Sequence, residues 1–199
     1  MKRIILFFLA LLSFSTAQES AYFLGLRSSK YALVGIESKY HFGMAVENSL
    51  FVTDEHLQYA RIALFYNFSL PFSLKGGYAI YGGSRYNQDF YDYGARLQLK
   101  WEPIRRLFQI EGVFQPFYDS DLETKYAYKL CAQSIFLDDV GIYGGIKNLP
   151  DFRDTEIRYF GGVAFDLPKL KLYPEISRPI NGSFYTTRIT VNFIYKSSI

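Results

Sequence analysis

The sequence predicts an all-β chain closed into an antiparallel up-and-down barrel of about 12 strands, with about 10 as the alternative count. Three features carry that expectation: a side-chain period of two along most of the chain, long charged residues confined to one parity, and aromatic rings gathered near the strand ends. Aromatics make up 19% of the 199 residues, with 18 Tyr and 19 Phe, yet the mean hydropathy is −0.02. Apolar and polar residues are therefore finely interleaved, as they are when alternate side chains point to opposite faces of a sheet.

Taken in chain order, the first element is a leader. Met1-Lys2-Arg3 is a short positive head, Ile4 to Leu12 an unbroken apolar run, and Ser13 to Ala17 a stretch of small residues. This is the layout of a secretory signal peptide, with Ser15 and Ala17 at the −3 and −1 positions of a cleavage before Gln18. Residues 1–17 are thus expected to be removed, and residues 18–199 to form one domain. No Cys follows the cleavage site to carry a lipid anchor. No later run approaches the roughly 18 apolar residues that a helical span requires.

The mature part alternates. Tyr91, Tyr93, Ala95, Leu97, Leu99 and Trp101 share one parity, against Asp92, Gly94, Arg96, Gln98, Lys100 and Glu102. Phe108, Ile110, Gly112 and Phe114 alternate with Gln109, Glu111 and Gln115, and Tyr126, Tyr128, Leu130 and Ala132 with Lys125, Lys129 and Gln133. Ile157, Tyr159, Val163, Phe165 and Leu167 oppose Glu156, Arg158, Ala164 and Asp166. The last segment sets Tyr185, Thr187, Ile189, Val191, Phe193 and Tyr195 against Thr186, Arg188, Thr190 and Asn192. Turn signals at 28–30, 39–41, 53–56, 69–73, 84–89, 102–106, 119–123, 137–139, 147–155, 166–169 and 177–183 divide the chain into about 12 strands. Five Pro residues (Pro71, Pro103, Pro150, Pro168 and Pro179) fall in these turns. Pro116 falls at a strand end, whereas Pro174 interrupts a segment and costs a ladder hydrogen bond unless it sits at a bulge.

Which face is outside follows from chemistry. The polar parity carries Arg27, Glu37, Glu47, Arg61, Lys75, Arg96, Lys100, Glu111, Lys129, Arg158, Lys171 and Arg188, groups that suit a wet or salt-bridged interior. Threading the turns alternately puts Tyr91, Tyr93, Tyr118, Tyr126, Tyr159 and Tyr185 toward one rim. Tyr66, Phe68, Trp101, Phe108, Phe136, Phe165, Phe193 and Tyr195 then lie toward the other, so that two girdles stand about one membrane thickness apart. Strands of roughly 9–11 residues suffice for a tilted span, and backbone polar groups in hydrocarbon force such strands to close on one another. The expected fold is therefore a transmembrane barrel with its apolar face outward.

The final strand, Arg188-Ile-Thr-Val-Asn-Phe193-Ile-Tyr195, resembles the assembly signal of the bacterial outer-membrane β-barrel superfamily, and the likeness extends over residues 18–199. It departs from that pattern in having Thr190 where Gly is usual and Lys196 to Ile199 beyond the aromatic end. The resemblance implies insertion by the outer-membrane assembly machinery, contact with outer-membrane lipid, and residence in the outer membrane of a Gram-negative-type bacterium.

Chemistry-bearing motifs are few. His41 and His56 are the two histidines, both in predicted turns, and neither begins a His-x-Ser motif. Cys131 is alone, so no intrachain disulfide forms. Asp138-Asp139 and Asp119 with Asp121 read as turns rather than calcium ligands. The paired glycines, such as Gly76-Gly77 and Gly161-Gly162, lack the spacing of a phosphate loop. No catalytic residue, metal site or cofactor is expected. Nor is nucleic acid: 22 Lys plus Arg face 19 Asp plus Glu, and loss of Lys2 and Arg3 leaves 20 without a basic patch.

The expected function is a passive narrow pore or a structural barrel. Arg61, Arg96, Lys100, Glu111, Lys129, Arg158 and Arg188 are its candidate lumen-lining residues. Tyr91, Tyr93, Trp101, Phe108, Tyr126, Phe193 and Tyr195 are its candidate membrane-interface aromatics. The alternative is a surface-binding barrel that uses the loops at 85–93 and 148–153. A lipid-modifying enzyme ranks third, and no enzyme activity is expected.

Overall fold

The computed structural model describes residues 20–27, 31–49, 59–85, 91–104, 107–119, 124–137, 139–148, 156–182 and 186–198. The expected leader lies outside them, as do Tyr185, His56 and most of the expected binding loops. Twelve strands form the barrel. They are β1 (Ser20–Arg27), β2 (Tyr31–Ser38), β3 (Phe42–Ser49), β4 (Tyr59–Leu70), β5 (Leu74–Arg85) and β6 (Tyr91–Ile104), then β7 (Phe108–Asp119), β8 (Thr124–Leu137), β9 (Val140–Lys147), β10 (Arg158–Asp166), β11 (Leu170–Pro179) and β12 (Arg188–Ser198). Each pairs antiparallel with the next, and β12 returns to β1 with Leu24 opposite Tyr195, closing the sheet so that no edge is left open.

The period of two becomes the two faces of this wall. Along β6 exposure alternates residue by residue, with Tyr91, Tyr93, Ala95, Leu97, Leu99 and Trp101 outward. Ile62, Leu64, Ile80, Phe114, Leu130, Ile142, Ile176 and Ile189 extend that apolar face around the barrel. An apolar exterior of this extent has no water-soluble rationale and matches a lipid-facing surface. Strand lengths run from 8 residues in β1, β2, β3 and β9 to 14 in β6 and β8, a wider spread than the 9–11 expected. The wall is therefore taller over β4 to β8.

One end carries tight turns, at 39–41, 71–73 and 167–169, together with the start of β1 and the end of β12. His41 closes the first with φ 65°, its N–H bonded to the Ser38 carbonyl at 2.9 Å. A three-residue hairpin loop needs a left-handed residue at that place, and His tolerates it better than most. Phe72 and Ser73 take φ 60° and 58° in the second. The opposite end carries the longer connections.

The prolines show what a strand can absorb. Pro103 lies inside β6, not in a turn, next to a register shift between Trp101 and Ile104. Pro116 lies within β7 opposite Tyr126, and the β6–β7 ladder skips from Gly94–Phe117 to Leu97–Phe114 around it. Pro174 stays within β11 opposite Val191, and the β10–β11 ladder skips from Gly162–Glu175 to Phe165–Leu172. The sheet keeps its register in both places and gives up pairing only where the proline has no N–H to donate. The Tyr143 hydroxyl donates to the Pro174 carbonyl at 3.1 Å.

Candidate functional site

The inward parity of the strands builds the candidate site, a lumen lined by ion pairs and by aromatic rings. Near the long-connection end, Glu47 on β3 accepts hydrogen bonds from Arg27 Nε on β1 and from Arg61 Nη2 on β4, the latter at 2.5 Å. Glu47 is buried, and a buried carboxylate is tolerated only when paired and hydrogen-bonded in this way. The flat face of each guanidinium is covered as well: Arg27 lies 4.8 Å over the Tyr31 ring and Arg61 4.8 Å over the Tyr81 ring. Beside them the Tyr59 hydroxyl donates to Asp92 at 2.5 Å, and Gln115 Nε2 donates to the Tyr81 hydroxyl at 2.9 Å.

A second cluster stands on the opposite wall. Lys129 Nζ on β8 reaches both Glu111 oxygens on β7 at 3.3 Å, and Gln98 Nε2 on β6 donates to Glu111 at 3.2 Å. Lys147 on β9 pairs with Glu175 on β11. Phe160 lies between these pairs, with Lys129 5.7 Å and Lys147 5.2 Å from its ring. Val113, Phe117, Ala127 and Ala164 are buried inward on this side, so the barrel interior over β7 to β10 is packed rather than open.

At the tight-turn end the pairs are wetter. Lys75 and Lys100 share Glu102 at 3.7 and 3.8 Å, Lys171 meets Asp166 at 3.6 Å, and Lys196 reaches across β1 to Glu37 at 2.5 Å. Two cations share Glu102 and two share Glu47, so carboxylates are outnumbered on this face. Arg96 has none: its buried Nε makes no hydrogen bond, and no ion pair to it occurs among the described residues.

Of the seven candidate lumen residues, Arg61, Arg96, Lys100, Glu111, Lys129, Arg158 and Arg188 all take the inward parity of their strands. Arg61 joins the Glu47 cluster, Glu111 and Lys129 the opposite one, and Lys100 the tight-turn mouth. Arg158 is buried against the far rim, donating to the Thr186 carbonyl at 2.7 Å. Of the seven candidate interface aromatics, all take the outward parity. Tyr91, Tyr93 and Tyr126 lie toward the long-connection rim, Trp101, Phe108 and Tyr195 toward the tight-turn rim, and Phe193 midway along β12. Tyr93 and Tyr118 meet across β6 and β7 in a tilted pair with ring centroids 5.2 Å apart.

Reasoning from sequence missed the Lys147–Glu175 pair and the inward rings Phe23, Phe65 and Phe160. The signal was present: Phe160 lies between Arg158 and Gly162 on the polar parity, as Phe65 lies between Arg61 and Asn67. Two of these rings reach over glycines with their outer edges. A Cβ at Gly35 would fall 2.2 Å from the Phe23 ring, and one at Gly43 2.1 Å from the Phe65 ring. They form the floor of a cavity of about 240 Å³ against β1 to β7, which Arg27, Glu47, Arg61, Arg96, Gln98 and Gln115 also line.

The sequence matches no family model and no curated protein. Among solved structures, the chain is similar to the KdgM porin, also solved in complex with disordered oligogalacturonate, at TM-score 0.61 and 14% identity, covering 89% of this chain and 98% of that one. It is similar to the NanC porin at TM-score 0.53 and 10% identity, with the same coverage. The protein thus has the fold of these porins, a closed 12-stranded antiparallel barrel.

Proposed function

We propose that this chain is a narrow passive pore of a Gram-negative-type outer membrane, exported by its leader and inserted by the outer-membrane assembly machinery. One observation carries the reading: a closed barrel whose outer face is apolar encloses a face of arginines, lysines and carboxylates around an open cavity. Ionic groups facing inward keep water in a lumen, while apolar ones facing outward meet lipid. The likeness to two porins supports it.

The packing over β7 to β10 leaves the path along β1 to β6, so conductance is small for a barrel of this strand number. Of the candidate lumen residues, Arg61, Arg96 and Lys100 stand on the strands along that path and set its selectivity. Because cations outnumber carboxylates, that selectivity is weakly anionic. Oligogalacturonate, the polyanion in the KdgM complex, is one solute of the favoured sign. Single-channel recording in planar bilayers tests the pore. Discrete steps with a reversal potential displaced toward chloride are expected, and purified, folded protein that gives no current above background overturns the reading.

A further inference from the structure

The cavity against β1 to β7 has two unlike kinds of lining. Its floor is Phe23, Leu33, Ala45, Ala63, Phe65 and Ala79, with no hydrogen-bonding side chain among them. Phe23 and Phe65 lie with ring centroids 5.9 Å apart and planes inclined by 56°, their outer ring edges against Gly35 and Gly43. Around it, on the same strands (Arg27, Glu47, Arg61, Asn67) and on β6 and β7 (Arg96, Gln98, Gln115), stand polar groups, and nearly all are committed. Arg27 and Arg61 hold Glu47, Gln98 donates to Glu111, Gln115 to Tyr81, and Asn67 to Glu37. Arg96 alone among these cavity-lining cations has no carboxylate.

Its position explains why. Arg96 and Gln115 fall in the gap that Pro116 opens in the β6–β7 ladder, and Glu111, further along the same ladder opposite Lys100, is already held by Lys129. A buried guanidinium Nε without an acceptor is costly, and an anion from outside relieves that cost. A ligand that satisfies both linings presents one carboxylate to Arg96 and an apolar body to the floor. A sugar ring laid there would strip its hydroxyls of water against Phe, Leu and Ala and find no partner for them. The cavity, about 240 Å³, is smaller than the sites that enclose drug-sized ligands.

We propose that this cavity is a binding site for a small planar aromatic monocarboxylate, its carboxylate on Arg96 and its ring on the Phe23–Phe65 floor. The proposal rests on the pore reading for access to the site, since the ligand enters along the lumen.

Calorimetric titration of the full mature barrel, refolded in detergent, with benzoate tests it, using acetate, benzyl alcohol and galacturonate as comparisons. Saturable benzoate binding is expected, at least tenfold tighter than any of the three. Arg96→Gln is expected to weaken it at least tenfold, and Lys75→Gln at the mouth to leave it unchanged. Should Arg96→Gln fail to fold, Ala79→Leu, opposite Arg96 in the β5–β6 ladder, fills the floor without removing a charge and is expected to abolish benzoate binding. Benzoate no tighter than acetate, galacturonate as tight as benzoate, or binding indifferent to these cavity variants overturns the proposal. A barrel that conducts but does not bind benzoate refutes the site and leaves the pore. One that binds benzoate but never conducts refutes the pore and leaves the site.

Discussion

Replacing Glu47 with Gln removes one charge and almost no volume, and its cost follows from the surroundings of that carboxylate. Glu47 is 5% exposed and holds two guanidiniums whose side chains are 31% and 17% exposed, Arg27 and Arg61. Breaking a fully buried pair costs about 3–5 kcal/mol, because the partner is left charged and dry, whereas exposed pairs are worth about 0.2–1 kcal/mol. Arg27 can rehydrate from the lumen and Arg61 largely cannot, which places Glu47→Gln at about 2–3 kcal/mol of lost stability. With a urea dependence of about 1–3 kcal/mol per molar, the unfolding midpoint in lipid vesicles falls by about 1 M or more. The same variant frees two positive charges beside the open cavity, so in bilayers its reversal potential under a salt gradient moves toward chloride. A midpoint and a reversal potential both equal to those of the parent protein would refute the reasoning, since Glu47 would then be neither a structural counter-ion nor part of the conducting path.

Further outcomes follow from the two faces of the wall. A Cβ at Gly145 falls 1.9 Å from the Leu130 carbonyl oxygen, whereas one at Gly112 meets nothing within 4 Å. Gly145→Ala is therefore expected to destabilise by about 1–3 kcal/mol and Gly112→Ala to be neutral or stabilising by up to about 1 kcal/mol, both read from urea midpoints in vesicles. Ile142, 56% exposed on the outer face of β9, is expected to cost about 2–4 kcal/mol as Arg in a bilayer. The same Ile142→Arg change in a water-soluble barrel would be close to neutral, so the urea midpoint separates the two cases. Lys196→Gln removes the half-exposed tie to Glu37 across the β12–β1 seam and is expected to lower stability by no more than about 1 kcal/mol.

How much of this was legible in the sequence depends on the range of the information. Parity is local, so the stretches at 91–102, 108–115, 126–133, 157–167 and 188–195 could be assigned to faces directly, and with them the inward placement of Arg96, Arg158 and Arg188. The strand count followed from turn residues, which are local too. Pro174 obscured the strand that carries Glu175, and Lys147 stood in an expected turn, so their ion pair was invisible. Lysine and glutamate meet there across β10, a consequence of closure and register that no window of sequence contains. The isolation of Arg96 has the same origin, because only the pairing order shows that Glu47 and Glu111 are both taken. The inward Phe residues were misjudged for a different reason. Apolar character was equated with the outer face, whereas a lumen partly filled by side chains also needs rings to pack, and glycines opposite them to make room.

Trp101 offers the sharpest test of the barrel's orientation toward lipid, because it is the one tryptophan in the chain and stands outward near the tight-turn rim, 46% exposed. Its fluorescence in vesicles of lipids brominated at graded depths is expected to be quenched, most strongly by bromines just below the headgroups, and to be shielded from aqueous iodide. Strong quenching by iodide with none from any brominated lipid would mean that the apolar wall does not face a membrane.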